Sequence, residues 1–126
     1  MFLRGIRGAI VCQANTKEDI LAETQLLLEE MIAKNGLEVP DIASIFFSIT
    51  QDLNAEFPAL AARKMGWVDT PLLCFNEISV PGSLEKCIRV LVHVNTEKAQ
   101  SDMVPVYLKD ASRLRPDQAA KQSVHA

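Results

Sequence analysis

Several common chemical signatures are missing from this 126-residue chain. It has no Cys-x-x-Cys pair, no Gly-x-x-x-x-Gly-Lys-[Ser/Thr] phosphate loop, no Gly-x-Gly-x-x-Gly and no Gly-x-Ser-x-Gly element. Those absences argue against a thiol redox centre, a P-loop nucleotide site, a dinucleotide fold and a serine-hydrolase elbow. The three cysteines, Cys12, Cys74 and Cys87, are an odd number and fit no disulfide framework. The two histidines, His93 and His125, stand far apart, so a His/Cys metal site is not expected. No apolar run approaches the roughly 18 residues that span a bilayer. Arg4 and Arg7 interrupt the first apolar stretch, which a signal-peptide core would not tolerate. A net charge of −3 lacks the cationic excess that general nucleic-acid binding requires. These features suggest a cytoplasmic protein with no nucleic-acid or membrane partner.

What remains is ordinary for a globular domain: 48% hydrophobic and 23% charged residues. Leu3 to Cys12 reads as a strand, and Gly5 and Gly8 within it suggest a bulge or a close approach by a ligand or another backbone. The Gly5-Ile6-Arg7-Gly8 run lies in this strand rather than between helices, so it is no RNA clamp. Asn15 or Thr16 can cap a helix of about five turns that stops near Asn35-Gly36. Ile20, Leu27 and Met31 line its apolar side, while Glu23, Gln25, Glu29 and Glu30 read as a solvated face. Ile42 to Thr50 is a second strand, and a short helix follows from about Pro58 to Gly66. Leu72 to Ile78, Cys87 to Val94 and Val104 to Leu108 complete the strands, Pro105 favouring a sheet edge for the last. The order β-α-β-α-β-β(-β) describes a single-sheet α/β domain, residues 1–117, with helices on one face. Residues 118–126 are small and polar and suggest a frayed tail.

The fourth strand carries Ile88, Val90, Val92 and Val94 on one side, and Cys87, Arg89, Leu91 and His93 on the other. A sheet with apolar residues on its second face must bury it, most simply against another copy of the chain. A homo-oligomer with sheets inside and helices outside is therefore expected.

Three charges interrupt apolar strands. Arg89 either reaches an edge, forms a structural ion pair, or faces a wet anion-binding pocket. Glu77 has the same setting, and a hairpin through Pro81-Gly82 would bring it to Arg89 as a salt bridge between adjacent strands. Arg7, between two glycines, is either an exposed edge arginine or a ligand contact. Together they suit a dianionic small molecule bearing a hydroxyl.

Arg4-Gly5-Ile6-Arg7-Gly8-Ala9, Thr50-Gln51-Asp52-Leu53-Asn54-Ala55-Glu56-Phe57-Pro58-Ala59 and Lys86-Cys87-Ile88-Arg89-Val90 resemble the monofunctional chorismate mutases of the Bacillus type. Tyr107-Leu108 and Leu114-Arg115-Pro116-Asp117 fit the end of the same pattern. These are trimeric α/β enzymes, distinct from the all-helical class. The resemblance implies a homotrimer with sites between subunits, chorismate as substrate, and no cofactor or metal. It implies that Arg7 and Tyr107 bind a carboxylate, and that Arg89 meets the ether oxygen. Glu77 and Cys74 would hold the ring hydroxyl region. Phe57 and Arg63 would come from the adjacent subunit, and Leu114 and Arg115 from a closing C-terminal segment. Two departures are Leu60, where relatives can carry a lysine, and Leu73, which replaces a small hydroxyl residue. Strict alternation would also put Cys74 and Glu77 on opposite strand faces unless the strand bulges between them. The competing reading is a non-catalytic trimer on this fold that binds a small anion. It would need no carboxylate at Glu77.

Overall fold

Alternation of side chains along the strands sorts the sheet into two unlike faces. In a computed structural model describing residues 1–125, the strands are β1 (Phe2–Val11), β2 (Ile42–Ile49), β3 (Leu72–Asn76), β4 (Cys87–Thr96) and β5 (Val106–Leu108). They form one mixed sheet in the order β3-β2-β4-β1-β5. β4 runs antiparallel to both β1 and β2, while β1 pairs with β5, and β2 with β3, in parallel. β5 is an edge strand, where the missing N–H of Pro105 just before it does no harm.

Helices α1 (Lys17–Asn35) and α2 (Ala59–Lys64) cover one face. Thr16 caps α1, its hydroxyl accepting from the Asp19 N–H at 3.1 Å, and Gly36 ends it at φ 58°. Ile20, Leu27 and Met31 pack on Ile6, Ile10, Ile45, Phe47, Ile88, Val90 and Val92 to form the main core. β1 contains no bulge: it pairs with β4 without a shift from Phe2↔Thr96 to Val11↔Cys87. Gly8 instead serves close approach, because a Cβ there would lie 2.5 Å from the Met31 sulfur.

The structure corrects the sequence-based expectation in three places. The polar C-terminus is not frayed from Asp117: Pro116–His125 forms helix α3, tied to β5 where the Tyr107 N–H donates to Gln122 Oε1 at 2.6 Å. Residue 126 lies outside the described residues. Glu23 does not belong to a solvated face, being only 8% exposed and paired with Lys109. Finally, β3 and β4 are not neighbours, because the connection through α2 lays β3 parallel to β2 on its far side.

The second face is partly covered by the chain itself. The segment Lys109–Arg113 and α3 follow β5, and Ala9, Cys87, Tyr107 and Ala111 form a small buried cluster with Leu114 and Ala119 against it. Beyond that cover the face stays open and carries an apolar row. Phe46 pairs in register with Leu73 on one side and Leu91 on the other, and Leu73, Phe75 and Leu91 are 56%, 50% and 39% exposed.

Candidate active site

The pairing registers converge on Ala9. Arg89 stands opposite it on β4 and Tyr107 beside it on β5, while Arg7 shares its face two residues earlier on β1. Ala9 is fully buried and small, so the three longer side chains rise around it to wall a cleft of about 360 Å³. Ser48, Phe46 and Leu91 line the same cleft, as do Glu77 and Arg115.

Glu77 reaches this place across β2 rather than through a hairpin. Its N–H donates to Ile49 O at 2.8 Å, which prolongs the β2–β3 pairing by one residue. The Ser48 hydroxyl donates to Glu77 Oε1 at 2.6 Å, and Arg89 Nη1 lies 3.6 Å from Glu77 Oε2. Because Ser48 is the register partner of Arg89, it stands between the two charges. Of the three settings open to Arg89, the structure combines two: an ion pair, and a place in an open cleft with its side chain 47% exposed.

Three arginines against one carboxylate leave the cleft cationic. Burial pushes the Tyr107 phenol above its ordinary value, and the Arg7, Arg115 and Arg89 guanidiniums and a hydrogen bond from Arg7 pull the other way. Arg115 grips Asp117 at 2.9 and 3.1 Å. That hydrogen bonding holds the Asp117 carboxyl down at about 2. Leu114 does not line the cleft; it packs against the cluster around Tyr107 and Ala111. Among the described residues, no group of three or more His, Cys, Asp or Glu side chains could hold a metal ion.

Phe57, Arg63 and Cys74 are not in this cleft. Phe57, 65% exposed, enters α2, and Arg63 lies on it. Cys74 pairs with Phe47 on the helix side of the sheet, where the Ala59 N–H donates to its sulfur and burial raises its thiol pKa despite the pull of Arg63. No bulge joins Cys74 to Glu77: alternation holds, and the two face opposite ways. The candidate residues thus form two sets on two surfaces of one chain. Ser48 escaped the sequence reading because nothing separates it from Ser44 as one more polar residue on the outer face of β2.

Fold and cleft together define a mixed α/β protein with an open cleft, lined by three arginines and one carboxylate, on the outer face of its sheet. The chain belongs to the type I chorismate mutase family, whose model matches residues 3–118. It is 43% identical over 118 residues to chorismate mutase AroH of Bacillus subtilis, covering 93% of each chain. The identity is 45% over 121 residues to chorismate mutase AroH of Thermus thermophilus, covering 95% of this chain and 99% of that one. The solved chorismate mutase from Clostridium thermocellum superposes with a TM-score of 0.85 at 60% identity, covering 86% of this chain and 97% of that one. The protein is accordingly an isomerase of aromatic amino-acid biosynthesis that turns chorismate into prephenate.

Proposed function

We propose that the rearrangement runs in the cleft of Arg7, Glu77, Arg89, Tyr107 and Arg115, completed by Phe57, Arg63 and Cys74 of a neighbouring copy in a trimer. The reaction is intramolecular: one C–O bond breaks as one C–C bond forms. The protein therefore needs to hold a compact conformer and to meet developing charge. Arg7, Tyr107 and Arg115 bind the carboxylates. Arg89 donates to the ether oxygen, where negative charge grows as the C–O bond lengthens. Glu77 faces the ring, where positive charge appears. The observation that carries this reading is Arg89 beside Glu77, 3.6 Å apart, in an open cationic cleft. A module that only bound an anion would have no use for that carboxylate. The open row of Leu73, Phe75 and Leu91, with Phe46 half-buried among them, supports burial of the outer face against other copies. Cys74 sits with Arg63 at α2, so on this reading it reaches the ring hydroxyl region from the neighbour's side, opposite Glu77.

The test follows loss of chorismate absorbance, with acid conversion of product to phenylpyruvate, and light scattering for the oligomeric state. Arg89→Ala should lower kcat on the order of 10²–10³-fold with a smaller change in KM, and Glu77→Ala should also collapse turnover. A folded Arg89→Ala enzyme with full turnover, or a fully active monomer, refutes the reading.

A further inference from the structure

Among the described residues, Lys109 is one of two non-glycine residues in the left-handed region, at φ 57°. Glycine adopts that conformation freely and lysine does not. The strain falls where β5 ends and the chain turns back over the outer face of the sheet. Everything that the C-terminal segment gives the cleft comes after this turn. Ala111 is buried against Ala9 and Tyr107, Leu114 packs beside it, and Arg115 enters the cleft. The Lys109 side chain does not line the cleft; its ammonium pairs with Glu23 of α1.

Among the described residues, Glu23 is the one acidic residue of the buried polar groups, 8% exposed. Its neighbour Asp19 is occupied, accepting from the Gln13 and Ala14 N–H groups at 2.9 and 3.0 Å. The group lies by the end of β1, where the Cys12 thiol, raised mainly by its own burial, is raised further by Asp19 and Glu23 and lowered by Lys109. A strained residue whose side chain is fixed by a partly buried ion pair, at the root of a segment that enters a site, is the pattern of a positioning device.

We propose that the Lys109–Glu23 pair is a latch between α1 and the C-terminal segment, setting the turn that delivers Arg115 to the cleft. Lys109 is then a positioning residue, acting on substrate binding through Arg115 without touching substrate. This rests on the reading of Arg115 as a carboxylate contact. The competing role for Lys109 is to neutralise Glu23 and so stabilise the fold.

Steady-state kinetics and thermal melts on the full chain separate the two. Arg115→Ala should raise KM. Lys109→Gly relieves the backbone strain yet removes the latch, and should raise KM about tenfold, the scale of one lost charge-assisted contact, with kcat within about twofold. Lys109→Arg should keep the wild-type KM. Glu23→Gln/Lys109→Gly leaves no buried charge unpaired, so its stability should recover from that of Lys109→Gly while its KM stays high. Should Lys109→Gly fail to fold, Glu23→Gln alone should show the raised KM. A double variant with wild-type KM, alongside a raised KM in Arg115→Ala, overturns the latch alone. A wild-type KM in Arg115→Ala overturns the reading of Arg115 and the latch with it.

Discussion

Replacing Gly8 with alanine tests how closely helix and sheet are fitted beneath the cleft. The added Cβ would lie 2.5 Å from Met31 Sδ, 3.1 Å from Met31 Cε and 3.3 Å from Leu27 Cδ1. Real carbon atoms do not sit 2.5 Å from a sulfur, so Met31 must move or α1 must lift. Met31 is 1% exposed and Leu27 is fully buried, which leaves little free space to move into. Overpacking of this kind costs about 1–3 kcal/mol. The lower unfolded-state entropy of alanine offsets about 0.5–1 kcal/mol, and the pliancy of the thioether limits the rest. A net loss of about 1–2 kcal/mol is expected, read as a lower urea midpoint at fixed protein concentration. Arg7 and Ala9 flank the substitution, so kcat/KM should fall as well. Met31→Ala alone should cost about 2–5 kcal/mol. The double variant should cost less than the sum, because the new methyl occupies space that the methionine vacates. An unchanged midpoint for Gly8→Ala, or strict additivity in the double variant, refutes the close-approach argument.

Ser48→Ala should lower kcat/KM about tenfold by releasing the Glu77 carboxylate, while Ser48→Thr should retain activity. In a Glu77→Ala background the serine should no longer matter; an equal loss in both backgrounds would mean that it acts elsewhere. Burial pushes the Cys12 and Cys87 thiols from 9.0 to about 12 and about 11. Between about pH 9 and 11 the unfolded chain therefore sheds protons that the folded chain keeps, and stability must fall as pH rises through that window. Urea midpoints at about pH 8 and 10.5 measure the fall, and Cys12→Ala/Cys87→Ala should flatten it. Asn35 donates to Met31 O and Val104 O at 3.0 and 2.9 Å and accepts from the Val104 N–H at 2.7 Å. Asn35→Ala leaves both backbone groups of Val104 buried and unpaired, and should cost about 2–4 kcal/mol by denaturant titration.

Local patterns were legible in the sequence where local physics decides them. Ile88, Val90, Val92 and Val94 declare a strand face by period alone, and Thr16 and Gly36 mark the ends of α1 by their capping chemistry. Arg89 and Glu77 stood out because a charge in an apolar strand needs a reason. What escaped depends on pairings distant along the chain. Glu23 looked solvated because its partner lies 86 residues away. The Glu77–Arg89 contact was foreseen, but by the wrong route, since strand order depends on the crossover through α2. Helix α3 has little apolar signal of its own: Ala119 packs against the Tyr107 cluster, and Gln122 serves a backbone donor of β5. Within one chain plain alternation holds, and Cys74 and Glu77 face opposite ways, so the grouping that the resemblance implies concerns residues of two copies.

The division of the candidate residues between two surfaces of one chain has a consequence in genetic terms. On the proposed trimer, no subunit owns a whole site; each lends one half to one neighbour and borrows the other half from the next. A lesion at Arg89 and a lesion at Arg63 would then be defects of different halves. Two inactive proteins, each carrying one of them, would regain activity when unfolded and refolded together. Roughly one interface in four would join two sound halves under random assembly. Two copies of the gene, each defective by itself, could sustain prephenate synthesis in the same cell.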